Sequence, residues 1–126
     1  MSHVIAAVST GSQISAIGIL RLSGSGCAQV AGRVFHTKSG RPLEEAPNRK
    51  LVLGTLKDRQ GRVLDQCMAV FTRGPHSYTG EDTAELHCHG SPAVLAAGLE
   101  ALYQAGARPA RRGEFTKRAF LNGQMD

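Results

Sequence analysis

Residues Thr83 to His89 read Thr-Ala-Glu-Leu-His-Cys-His, so that Ala84, Leu86 and Cys88 alternate with Thr83, Glu85, His87 and His89. Successive side chains on a strand point to opposite faces, and this segment therefore predicts a strand that buries one face and presents acid and imidazole groups on the other. A strand of that kind needs neighbours to pair with and a layer to cover its apolar side. The chain offers both. Val4 to Val8 reads as a first strand. Ile14 to Leu22 reads as a second, following a turn at Thr10-Gly11-Ser12. Leu51 to Lys57 and Val63 to Phe71 are β-rich runs joined by Asp58-Arg59-Gln60-Gly61-Arg62, a polar connection whose glycine suits a positive φ, and they predict a hairpin. Ala107 to Ala110 is a candidate edge strand.

The covering layer comes from helices. Pro92 to Ala105 carries Val94, Leu95, Leu99 and Leu102 at helical spacing, with Ser91 placed to cap its start, Pro92 in its first turn and Gly106 to end it. Ser23-Gly24-Ser25-Gly26 offers capping chemistry for a short helix over about Cys27 to Phe35. Glu114 to Leu121 predicts a last short helix closed by Asn122-Gly123, and Ser39 to Asn48 has the polar, proline-containing composition of a loop. Strands, a hairpin and helices mixed in this way predict an α+β fold: a mixed sheet with helices packed on it.

At 126 residues the chain is expected to form one domain. No apolar run approaches the roughly 20 residues that cross a bilayer, so no membrane is expected as a partner. The start lacks the basic leader and long apolar stretch of a signal peptide. Cys27, Cys67 and Cys88 cannot all pair within the chain and show no C-x-x-C spacing, which fits a reducing, cytoplasmic setting. The formal net charge is +5, with Arg108, Arg111, Arg112, Lys117 and Arg118 close together. Such a surface favours polyanions, RNA or a polyglutamate tail among them, but it is equally the profile of a solvated basic surface.

Several chemistries are excluded or left weak by the motifs. No G-x-x-x-x-G-K-[ST] run exists, so the chain lacks the loop whose amides and lysine surround nucleotide phosphates. Gly24-Ser25-Gly26 is not a dinucleotide fingerprint and reads as a helix entry. His87-Cys88-His89 invites a zinc reading, but Cys88 would face away from the two histidines and a closed site wants four ligands. A cysteine facing the core is more often an inert apolar filler than a nucleophile. No metal ligand set and no catalytic residue are therefore assigned.

A set of strings occurs in order along nearly the whole chain: Gly18-Ile-Leu-Arg21 then Leu-Ser-Gly24; Leu64-Asp65; Gly74-Pro75 then Ser77-Tyr-Thr-Gly-Glu-Asp82; Glu85-Leu then His89-Gly90; and Gly113-Glu-Phe-Thr-Lys-Arg-Ala-Phe-Leu-Asn-Gly123. This set resembles the amino-terminal domain of the MnmE/TrmE tRNA-modification GTPases. The resemblance implies a fold akin to the folate-binding domain of aminomethyltransferases such as the glycine-cleavage T protein. It also implies a homodimer formed through this domain, and a tetrahydrofolate derivative, 5-formyl- or methylene-tetrahydrofolate, bound near the dimer interface. In that family the folate is thought to supply a one-carbon unit for modifying the wobble uridine of certain tRNAs, with the flavoprotein MnmG/GidA as partner. GTP, magnesium and potassium would belong to a GTPase domain that, with a helical domain, would follow Asp126. The 126 residues are thus expected to be one domain of a longer protein.

The family's folate-contacting residues fall at Arg21, Glu85 and Gln124. A carboxylate such as Glu85 can accept from a pterin ring N–H and its neighbouring amine together, and charge-assisted bonds are roughly twice as strong as neutral ones. The guanidinium of Arg21 suits carboxylate or carbonyl groups of the ligand. The alternative is that Arg21 and Glu85 are a structural ion pair. The sequence departs from the family at three places: Gln124 stands where Lys or Arg is common, Gly11-Ser-Gln-Ile-Ser-Ala16 replaces a glycine-rich stretch, and Arg112 replaces a proline. The competing function is a basic tRNA-binding module acting through Arg108 to Arg118 without folate. A free-standing aminomethyltransferase-like enzyme is a third, for which the chain offers no acid/base constellation beyond the proposed ligand contacts.

Overall fold

The computed structural model describes residues 3–9 and 16–124. Its elements are β1 (Ile5–Val8), β2 (Ile17–Ser23), α1 (Cys27–Gly32), β3 (Phe35–Thr37), a 3-10 turn (Leu43–Glu45), β4 (Val52–Lys57), β5 (Val63–Thr72), β6 (Thr83–His89), α2 (Pro92–Gln104), β7 (Arg108–Pro109) and α3 (Glu114–Leu121). The described strands form one seven-stranded sheet in the order β3-β4-β5-β6-β2-β1-β7. All pairings are antiparallel except β1 with β7. The fold is α+β with a mixed sheet.

The alternation in β6 places Ala84, Leu86 and Cys88 in the core beside Leu20 and Leu22 of β2 and Ala69 and Phe71 of β5. Helix α2 covers this face, bringing Leu95, Ala101 and Leu102 onto it, and α1 covers its flank. Full burial of a leucine such as Leu86 removes apolar area from water at a gain of about 1.5–3 kcal/mol. Gly18 sets how closely α2 can lie: a Cβ there would meet Leu95 Cδ1 at 2.5 Å. The opposite face of β2, β5 and β6 has no such helical layer over its centre. It carries Ile17, Arg21, Met68, Glu85 and His87, and from β4 Leu53, with Ile17 57% and Leu53 54% exposed.

Three local expectations are corrected. The helix expected over Cys27 to Phe35 ends at Gly32, and Phe35 begins β3, where it pairs with Leu56 and closes over Gly54. A buried aromatic partner site outweighs the weak helical preference of that segment. Ser23 does not cap α1. The residue before the helix is Gly26 at φ 85°, with no side-chain cap, while Ser23 ends β2 and spends its hydroxyl elsewhere. The segment read as a loop from Ser39 to Asn48 contains the 3-10 turn at Leu43–Glu45, with Leu43 buried. Strand β6 and helix α3 have the limits the sequence predicts, and Ser91 accepts from the Val94 N–H to start α2. The turn expected at Thr10-Gly11-Ser12, and the Gly11 to Ser15 part of the altered loop, lie outside the described residues.

Candidate functional site

The register of β2 against β6 sets Arg21 directly opposite Glu85 on the face without helices. Arg21 Nε donates to Glu85 Oε2 at 2.8 Å, and its second nitrogen, NH2, reaches the same oxygen at 2.8 Å. The other oxygen, Oε1, lies 2.9 Å from His87 Nε2, two residues along the strand. Burial raises the Glu85 pKa, but the hydrogen bonds from His87 and Arg21 and the charge of Arg21 outweigh it, so the carboxyl is held below its ordinary value. Glu85 is thus an acceptor at neutral pH. An ionised carboxylate has about four lone-pair sites, so three contacts leave room for a further donor. The side chains of Arg21, Glu85 and His87 are 29%, 23% and 27% exposed, which keeps them reachable from solvent.

Glu85 opens onto a depression of about 490 Å³ whose walls include Arg49, Val70, Thr72, Tyr78 and Gln124. The Arg21 guanidinium carbon lies 5.6 Å from the centroid of the Tyr78 ring, within cation–π range. Gln124 reaches the same depression from just beyond α3. The structure therefore brings Glu85 and Gln124 to one depression, with Arg21 joined to it through Glu85 and the Tyr78 ring. It adds Tyr78, which lies inside the Ser77 to Asp82 string, and Arg49, for which the sequence carries no signal. Arg49 holds a left-handed backbone at φ 61°, and its N–H donates to Phe71 O at 2.9 Å.

The two longest family-like strings meet in space and form the wall beside the depression. Asn122 Nδ2 donates to Thr79 O at 2.9 Å, and the Tyr78 and Thr116 hydroxyls lie 3.1 Å apart. Arg118, 9% exposed, donates to Glu81 Oε1 at 3.0 Å, to Glu114 Oε2 at 3.2 Å and to Ser23 O at 3.3 Å. Ser23 and Thr79, both fully buried, share a 2.7 Å hydroxyl contact, and Ser23 also reaches Glu81 at 2.8 Å. Ser77 Oγ donates to Glu81 O, and Asp82 Oδ1 accepts from the Gly74 N–H at 2.8 Å. Gly80 is needed here: it adopts φ 80° with Asn122 Cβ 2.6 Å from where its own Cβ would stand. By its neighbours in the chain Arg118 reads as part of a basic surface. Its one local signal is Glu114 a helical turn earlier.

The basic cluster is accordingly smaller than its sequence suggests. Arg108 pairs with Glu114 at 2.6 Å and Arg118 with Glu81 and Glu114, whereas Arg111, Arg112 and Lys117 stay exposed around a hollow of about 430 Å³. The bonds from Arg108, offset in part by burial, push the Glu114 carboxyl down to about 2. His87 and His89 face away from Cys88 along the strand: His87 goes to Glu85, and His89 Nδ1 lies 2.7 Å from Asp65 Oδ1.

The family model described as the N-terminus of the GTP-binding protein TrmE matches residues 4–124. The chain is 48% identical over 124 residues to a tRNA modification GTPase MnmE of Symbiobacterium thermophilum, covering 98% of this chain and 27% of that protein. It is 47% identical to its namesake in Thermus thermophilus, covering 97% and 28%, and 46% identical to that of Aquifex aeolicus, covering 100% and 27%. The chain thus spans little more than a quarter of the length of these relatives.

Proposed function

The chain belongs to the family of TrmE N-terminal domains, and from that premise we propose that it is the reduced-folate-binding and dimerising part of a tRNA-modification protein. The observation that carries this reading is the meeting of Glu85 and Gln124 at one depression, with Arg21 paired to Glu85 and lying against an aromatic ring of its wall. Its volume falls in the range of about 300–1,000 Å³ usual for small-molecule sites. The donor set suits a pterin. Glu85, kept ionised, accepts from a ring N–H and the adjacent amine; Arg21 holds that carboxylate in place and offers its remaining donors to a ligand carbonyl; Tyr78 gives the flat ring a surface to lie on. Gln124 contributes an amide where a cation is more usual in the family, so it orients without adding charge. When bound, the reduced folate supplies a one-carbon unit for a base of tRNA, with the flavoprotein MnmG/GidA as partner.

Dimerisation draws support from the sheet face that carries Ile17, Leu53 and Met68 beside a groove of about 810 Å³. Apolar side chains gathered on a face without helices favour a second copy of the chain. The chain itself has no nucleotide-binding loop, so GTP, magnesium and potassium belong to the remainder of such a protein. No helix among the described residues is long and apolar enough to cross a membrane.

Calorimetry with 5-formyl-tetrahydrofolate tests the reading. Micromolar or tighter binding is expected, weakened by about 1–3 kcal/mol in Glu85→Gln, because the amide offers a buried donor pair one acceptor fewer. A folded chain that gives no heat with folate well above micromolar concentration refutes it. A second reading, tRNA binding through Arg111, Arg112 and Lys117, rests on their exposure around the α3 hollow. Phosphate-driven binding weakens steeply with salt, so submicromolar, salt-sensitive filter binding of tRNA without any response to folate would favour it instead.

A further inference from the structure

We propose that Asp65, Cys67 and Cys88 form a binding site for a thiophilic divalent cation of the zinc type, set between β5 and β6. Each offers one ligand atom, and these three atoms all lie within 4.8 Å of one another. The arrangement follows from two periodicities at once. Asp65 and Cys67 are two apart on β5 and share a face. The pairing of Met68 with His87 then lays Cys67 alongside Cys88 across the strand boundary. A zinc ion with sulfur ligands at about 2.3 Å needs ligand atoms roughly 3.5–3.8 Å apart, which side-chain rotation of under about 1 Å supplies.

The donor types select the cation. Two sulfurs and one carboxylate oxygen are a borderline-soft set, poor for calcium or magnesium and good for zinc. The carboxylate is already aimed: the Asp65 side chain, 9% exposed, accepts the His89 backbone N–H at 2.8 Å on one oxygen and faces His89 Nδ1 at 2.7 Å on the other. That histidine contact is the orienting partner that metal-bound carboxylates commonly have. A fourth position remains for water.

Apolar filling accounts for a buried cysteine, but not for two beside a carboxylate whose side chain is nearly as buried as they are. Binding releases one proton from each thiol to solvent as the two sulfur–metal bonds form. His87-Cys88-His89 thus contributes its cysteine, and the partner ligands come from the neighbouring strand rather than from the two flanking histidines.

Cobalt titration of the reduced 126-residue chain is the test. The expected result is sulfur-to-cobalt absorption in the near ultraviolet with tetrahedral bands in the visible, saturating at about one ion per chain and displaced by zinc. Cys67→Ser and Cys88→Ser each remove the sulfur-to-cobalt absorption contributed by that residue, and Asp65→Asn weakens affinity by about 10–100-fold. Because core variants can fail to fold, the unaltered chain is also alkylated with and without zinc, and the modified cysteines are mapped by mass. Zinc should protect Cys67 and Cys88 and leave the Cys27 reaction unchanged. Absence of both cobalt absorption and zinc protection overturns the proposal. So does loss of the two thiols to a Cys67–Cys88 disulfide with no metal retained.

Discussion

Two arginine–glutamate constellations stand on neighbouring parts of the same molecule, and they differ in what is left over. At the clamp between the Ser77 to Asp82 segment and α3, Arg118 serves Glu81, Glu114 and Ser23 O, with side chains 11–15% exposed. At the depression, Arg21 and Glu85 are 29% and 23% exposed, and the carboxylate keeps acceptor capacity to spare. A buried pair whose groups are fully committed holds elements together and has nothing to give a ligand. A partly exposed pair costs less to disturb and can exchange one partner for another. The contrast assigns structure to the first and binding to the second, although the residue types are the same.

The largest expected effect would break the clamp. Glu114→Ala removes the carboxylate that Arg108 and Arg118 share, while Arg118 keeps Glu81, and urea unfolding should show a loss of about 1–3 kcal/mol. Should the loss stay below about 1 kcal/mol, the clamp is not structural. Acid sharpens the same contrast. The Glu114 carboxyl is held at about 2 and Glu85 is also lowered, so each contributes stability that is present above the ordinary carboxylate range and lost as pH falls through the folded-state value. Stability curves measured from neutral pH down to about pH 2 should therefore decline on acidification, with Glu114→Gln flattening that limb more than Glu85→Gln.

Glu85→Gln itself should change stability at neutral pH by less than about 1 kcal/mol while weakening folate as described above. An equal loss in both measurements would make Arg21 and Glu85 a structural pair after all. The smallest effect is expected at Tyr78→Phe, which removes the exposed hydroxyl contact to Thr116 but keeps the ring over Arg21. Unfolding should shift by about 0.5 kcal/mol, with folate affinity nearly unchanged. A large affinity loss would mean that the hydroxyl, rather than the ring, faces the ligand.

How much of this was legible depends on the range of the interaction that decides each feature. Strand β6 and helices α2 and α3 are encoded locally, by alternation, by helical spacing and by Ser91 and Pro92, and they stand where those signals put them. Phe35 was misread as helical because its place is decided by Leu56 and Gly54 on another strand. The Ser23 to Gly26 segment reads as helix-capping because the partners that Ser23 takes instead, Thr79 and Glu81, are distant in the chain. Arg118 looked like surface charge for the same reason.

By itself the sequence determined the α+β class, the alternating strand with its acid and imidazole face, the lack of a nucleotide-binding loop, and the strings that mark the family. Those depend on residue order within a few positions, where spacing alone dictates which side chains share a face. Only the tertiary structure decided that Arg21 stands opposite Glu85, that Arg118 is buried in a clamp, and that Cys67 lies beside Cys88 and Asp65. Those are matters of register between strands and of docking between segments far apart in the chain. A shift of one residue would have turned every one of these side chains to the other face, and no local pattern records it.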